Sequence, residues 1–271
     1  MRLHSSPARS LARLLGSAAV AAMLAAGLGG CQTMSDVTGS ITSRPDATPD
    51  DPRRAAEIYG ERYRANPKDA DAALGYGQAL RATGQRAQAA AVLEQATITH
   101  PGNKPLLAAY GRALADNGSF QAAFDVLTRA HTPDNPDWRI LSVQGAVLDQ
   151  LGRHDEARGY YASALGIVPD EPSVLSNLGM SYVLSKDLPK AEETLRKAYA
   201  SGRADARVRQ NLGLVVGLQG RFAEAESIVK ADLPPDQAAT NVAYLKQMLS
   251  RKDNPRAGSG KVPMASLNTP D

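Results

Sequence analysis

The side chains able to do chemistry are few and scattered. Beyond residue 30 the histidines are His100, His131 and His154, and the single cysteine is Cys31. A hydrolytic triad or a metal centre needs such groups to converge with carboxylates. These three histidines instead fall at or near turns of three different segments, so they read as solvent-exposed side chains. Glu192 and Glu193 are neighbours in sequence, and neighbouring side chains on a helix point apart, so they read as a solvated face. No G-x-x-x-x-G-K-[ST] phosphate loop is present. The pattern offers no catalytic residue, no metal site and no cofactor, and it points away from an enzyme.

What would position any functional side chain is a repeat. In the segment 138–171 the eighth residue is Gly145, and steps of 34 reach Gly77, Gly111, Gly179 and Gly213. The twentieth position is Ala89, Ala123, Ala157, Ala191 and Ala225. The fifteenth is Gly84, Gly118, Gly152 and Gly220, with Lys186 departing in the fourth repeat. Small residues on two facing helices allow close approach, and a glycine between the helices permits the tight turn.

This pattern resembles the tetratricopeptide repeat, whose period is 34 residues. Leu141, Leu148, Tyr161, Ala164 and Pro169 match its further sites in the central unit. The resemblance covers residues 70–239 and implies an all-α fold, a right-handed superhelical solenoid of helix-turn-helix units. Repeats are expected at 70–103, 104–137, 138–171, 172–205 and 206–239. A capping helix at 52–66 precedes them, because Ala55, Tyr59 and Pro67 fall in register with Ala89, Leu93 and Pro101. A second capping helix is expected at 238–251, and 252–271, rich in Pro, Gly and Ser, as a disordered tail. The late proline of the motif is kept at Pro101 and Pro169 but replaced by Asn135, Arg203 and Gln237, which leaves the last two helix boundaries less defined.

The formal charge of +3 is carried by the N-terminus: Arg2, Arg9 and Arg13 are the only charged residues before position 31, and the remainder holds 28 basic and 28 acidic residues. That balance removes the main electrostatic reason to expect nucleic-acid binding. Residues 14–28 form an apolar run of signal-peptide length, short for a membrane-spanning helix. It ends in Leu28-Gly29-Gly30-Cys31, which resembles a bacterial lipobox. The resemblance implies a signal peptide over 1–30, cleavage before Cys31 and lipidation of that residue; an ordinary signal peptide followed by a chance cysteine is the alternative. Gln32 in place of aspartate favours the periplasmic face of the outer membrane. Residues 31–51 then read as a flexible tether.

In the tetratricopeptide architecture the first helices line a concave groove. Its facing positions hold Arg81, Arg112, Arg139 and Asp149 in the first three repeats. In the last two they hold Asn177, Met180, Val183, Leu184, Arg207, Asn211, Leu214 and Leu218. The groove is therefore expected to be polar and partly cationic at one end and apolar at the other, with the asparagines available to a partner's backbone and a protein segment as occupant; the alternative for Met180, Val183 and Leu214 is burial against neighbouring helices. A chaperone-type carboxylate clamp is not met, since its five positions fall on Ser142, Ala146, Asn177, Arg207 and Asn211. The layout of leader, lipobox, tether and alanine-rich repeats is similar to TadD-type lipoproteins of tight-adherence (Flp) pilus assembly, and the strings 72–77 and 178–182 share that family's flavour. This resemblance implies a scaffold for the pilus secretion machinery, plausibly its secretin, with protein partners and no small-molecule substrate. A periplasmic adaptor of peptidoglycan enzymes or another envelope assembly factor is the alternative.

Overall fold

The computed structural model describes residues 51–253, which form twelve helices and no strand. The expectations for the signal peptide, Cys31, most of the tether and the far tail lie outside these residues. In order the helices are α1 (Pro52–Ala65), α2 (Ala70–Ala82), α3 (Arg86–Thr99), α4 (Lys104–Asp116), α5 (Phe120–Arg129) and α6 (Trp138–Gln150). They continue with α7 (His154–Ile167), α8 (Pro172–Leu184), α9 (Leu188–Ala200), α10 (Ala206–Leu218), α11 (Phe222–Val229) and α12 (Pro235–Asp253).

Local chemistry sets these boundaries. An acid or amide stands immediately before each first helix of a repeat, at Asp69, Asn103, Asp137, Glu171 and Asp205. Each side chain accepts a hydrogen bond from a backbone N–H of the first turn. Such caps stabilise a helix by about 1 kcal/mol each. Gly84, Gly118, Gly152 and Gly220 sit at φ of 76–82° between paired helices, the left-handed conformation that glycine adopts without a steric penalty. Lys186 occupies the same conformation, at φ 64°, with a side chain that disfavours it.

Within each repeat the eighth-position glycine receives a large side chain. A Cβ there would lie 2.5–2.6 Å from Leu93, Leu127, Tyr161, Leu195 or Val229 of the following helix. The close approach inferred from the glycine and alanine columns is thus a knob from a third column seated on the glycine. The alanines Ala89, Ala123, Ala157, Ala191 and Ala225 are sealed beside it. Instead of one central core there are five small clusters in series along the stack, most of them shared by adjacent repeats.

The structure corrects two boundaries. The last helix begins at Pro235, ahead of the expected 238, so the fifth repeat closes early behind α11, only eight residues long. Where Asn135 replaces the motif's proline, α5 stops at Arg129 and residues 130–137 form a loop tied by an isolated Thr132–Asn135 bridge. Both repeats lack the proline found at Pro101 and Pro169, but so does the fourth, whose α9 runs 13 residues with Arg203 at that position, so the proline alone does not set the helix length.

Candidate partner-binding surface

Successive first helices touch one another: α2 meets α4, α4 meets α6, α6 meets α8, α8 meets α10 and α10 meets α12. The second helices α3, α5, α7, α9 and α11 make no comparable contact with one another. A stack closer on one side curves toward that side, so the first helices form its inner face.

Polar ties cross this face at a constant offset of 35 residues. Arg81 Nε donates to Asp116 Oδ2 at 2.7 Å, Asn177 Nδ2 to Ser142 Oγ at 3.1 Å and Asn211 Nδ2 to Ser176 Oγ at 2.9 Å. The two asparagines therefore already donate to the preceding helix and are half-buried, not simply free to bind a partner's backbone as expected.

At the N-terminal end two clefts of about 370 and 410 Å³ share Arg112. Arg81 lines the first and Arg139 the second. Burial pulls the Arg112 guanidinium below its ordinary value, and the like charges of Arg81 and Arg139 add to that pull, with Asp137 opposing. Asp137 itself caps α6, accepting from the Arg139 N–H at 2.8 Å. Arg139 is exposed and stacks over the Trp138 ring at 4.5 Å. Gln78, Lys104 and Asn135 also line the second cleft. Gln78 falls at the ninth position and was legible in the register; Lys104 and Asn135 lie at a helix start and in the irregular loop, off the repeat's facing positions.

At the C-terminal end a cleft of about 820 Å³ opens beside α10, lined by Leu214, Leu218, Leu245 and the exposed Tyr244 and Met248. Leu214 is 37% exposed and Leu184 48%. Met180 is half-buried, Val183 packs against the α9–α10 core, and Arg207 is exposed. The expected face thus contains a packing residue, Val183, among its surface ones. The α12 side chains Tyr244 and Met248 stand 34 residues after Gln210 and Leu214, so the register carried one unit past the fifth repeat reaches them.

Three further expectations are corrected. Asp149 does not face the groove: it is buried and accepts hydrogen bonds from His154 Nδ1 (2.8 Å), Tyr161 OH (2.9 Å) and Ser181 Oγ (2.8 Å), joining the third repeat to the fourth. Burial first, and the Asp149 charge second, push the Tyr161 hydroxyl far above its usual value, so it serves as a fixed donor. The histidines are not loose surface groups. His100 Nε2 meets Lys68 O at 2.9 Å and His131 Nε2 meets Gln144 Oε1 at 3.1 Å, so each histidine is a tie between elements. Glu192 is no solvated acid either: it accepts from Arg221, Arg196 and Gln219, and these bonds, led by that of Arg221, hold its carboxyl at about 2. Among the described residues no three His, Cys, Asp or Glu side chains cluster to hold an ion.

One tetratricopeptide repeat model matches residues 49–113 and 150–215, and a second model of that repeat matches 127–172, together more than half of the chain. The chain belongs to the tetratricopeptide repeat family. Such proteins are typically non-catalytic scaffolds that bind protein partners. Among curated relatives, BBSome complex member BBS4 of Bos taurus is 25% identical over 57% of this chain and 30% of its own length. The uncharacterized protein y4yS of Sinorhizobium fredii (strain NBRC 101917 / NGR234) is 35% identical over 38% of this chain and 56% of its own. The chain thus spans between about a third and about half of the curated relatives it matches.

Among solved structures, the APC/C hetero-tetramer Cut9-Hcn1 superposes with a TM-score of 0.61 at 17% identity, over 76% of this chain and 41% of that one. A tetratricopeptide repeat protein from Parabacteroides merdae ATCC 43184 does so with 0.59 at 15% identity, over 75% and 82%. At these identities the likeness is one of fold.

Proposed function

We propose that this tetratricopeptide repeat protein is a non-catalytic scaffold that holds a partner protein on the inner face of its first helices. In this reading Cys31 anchors it by lipid to the periplasmic face of the bacterial outer membrane. The partner belongs to the Flp/tight-adherence pilus secretion machinery, plausibly its secretin.

The observation that carries the scaffold reading is the apolar cleft beside α10. Most other large apolar side chains on the first helices are buried or half-buried in the stack, whereas Leu184 and Leu214 are exposed and Leu214 lines a cleft already formed. Exposed apolar patches beside polar rims are where protein partners dock. The membrane and pilus parts rest on the lipobox-like 28–31 segment and on the layout similar to TadD-type lipoproteins.

Capture from envelope extracts tests the reading. The wild-type chain is expected to co-purify secretin and pilus components, and Leu184→Glu/Leu214→Glu to lose them with its helical circular dichroism unchanged. Recovery of peptidoglycan enzymes instead would move the scaffold to cell-wall work. In parallel, Cys31→Ser should abolish labelling by an acyl analogue; equal labelling of both chains removes the anchor.

A further inference from the structure

The cationic end of the inner face is a second, chemically distinct surface. Arg112 is half-buried, yet among the described residues it has no hydrogen-bond or ion-pair partner. Leaving a guanidinium partly desolvated without an acceptor is unfavourable, and here two further guanidinium groups repel it. The nearby carboxylates are already engaged, Asp116 with Arg81 and Asp137 with the first turn of α6. Elsewhere the partly buried arginines are matched: Arg209 pairs with Asp232, Arg221 with Glu192 and Arg158 with Asp155. The cleft around Arg112 is therefore short of negative charge, in a chain that elsewhere supplies it.

We propose that Arg81, Arg112 and Arg139 together bind an extended acidic segment of a partner protein, its Asp or Glu side chains bridging the three guanidinium groups, Arg81 through the Nη groups that its Nε bond to Asp116 does not use. The assignment rests on the inner face being a partner surface and gives that partner its chemistry. Geometry supports an extended chain. The three arginines lie on α2, α4 and α6 at register positions 12, 9 and 2; with neighbouring packed helices about 8–10 Å apart and a rise of about 1.5 Å per residue, the diagonal ladder spans roughly 25 Å. An extended strand rises about 3.3 Å per residue, so about seven or eight residues cover that length with alternate side chains facing the same way. Arginine pairs with carboxylates through two parallel hydrogen bonds. The amides of Gln78 and Asn135 line the same cleft and can meet the segment's backbone. Single-stranded nucleic acid fits less well, because base stacking needs open aromatic faces and Phe120, the aromatic of the first cleft, packs into the α4–α6 core.

The test is fluorescence anisotropy with the full-length chain in mild detergent. The probe is a labelled peptide of roughly nine residues alternating Glu and Ser, blocked at both ends so that no terminal carboxylate contributes. It is expected to bind at least about 10-fold more tightly than its Gln-for-Glu counterpart, and the difference should fade in high salt. Arg112→Gln and Arg139→Gln should each weaken binding about 10-fold. Because Arg139 is exposed, its variant decides the matter if Arg112→Gln fails to fold. Equal binding of the two peptides, unchanged affinity in Arg139→Gln, or tighter binding of a single-stranded oligonucleotide of equal charge overturns the assignment. The leucine variants of the other end report on the scaffold reading separately, so a wild-type chain that captures its partner yet does not select the Glu peptide refutes this proposal alone.

Discussion

Adding one methyl group at Gly145 and one at Gly159 should move stability in opposite directions. A Cβ at Gly145 would lie 2.6 Å from Tyr161 Cε1 and 2.8 Å from its Cζ, roughly 1 Å inside ordinary carbon contact. Tyr161 is 1% exposed and packed in the third core cluster, while its hydroxyl is held at 2.9 Å from Asp149 Oδ2. Displacing the ring strains the packing by about 1–3 kcal/mol. Losing a hydrogen bond to a charged, buried carboxylate adds about 1.5–3 kcal/mol. Alanine's better helix propensity returns only about 0.5–1 kcal/mol. The net loss is then about 1.5–5.5 kcal/mol, which for a body of this size lowers Tm by roughly 3–22 °C. Gly159, on the exposed side of α7, has nothing within 4 Å of such a Cβ, so Gly159→Ala keeps only the helix term and gains about 0.5–1 kcal/mol. Thermal melts followed at 222 nm give both signs. Fluorescence of Trp138, the only tryptophan and on the same helix as Gly145, reports the third repeat locally. A Gly145→Ala chain as stable as wild type would refute the account of how paired helices approach.

Two other perturbations test the turns and the outer surface. Lys186→Gly relieves a left-handed backbone costing about 1–2 kcal/mol in exchange for the greater unfolded freedom of glycine, so urea midpoints should rise by the equivalent of about 0.5–1 kcal/mol; a fall would show the lysine side chain to be needed. Glu192 has its carboxyl lowered to about 2, so its contribution to stability is complete above about pH 4.5 and is lost as pH falls toward 2. Arg221→Gln removes the largest cause of that lowering. The stability gap between wild type and variant should therefore narrow between pH 6 and about 2.5 in urea titrations, and a gap that stays constant would show that the two side chains are not coupled.

The period, the helix pairs and the inner face were legible because each rests on one residue type returning at one interval, as with Gly77 and its four counterparts. The caps were equally periodic, since Asp69, Asn103, Asp137, Glu171 and Asp205 also stand 34 apart. No single residue type marks their column, because Asp, Asn and Glu share the one capping role. Asp149 could not be placed from its register, which puts it on the groove. Its burial depends on Tyr161 and Ser181, two residues on other helices that replace apolar or neutral neighbours only in this part of the stack. The cleft around Arg112 was half legible: its arginines follow the repeat, but the Asn135 loop arises from a local shortening of α5.

Five small cores in series make the molecule extensible. Tension between its two ends would meet no single central cluster whose loss releases everything; it would open one repeat at a time. Each opened repeat of 34 residues lengthens toward about 110 Å when fully drawn out, while the units still folded keep their grip. A protein tied at one end and holding cargo near the other would then yield in steps under load, and wind back when the pull is released.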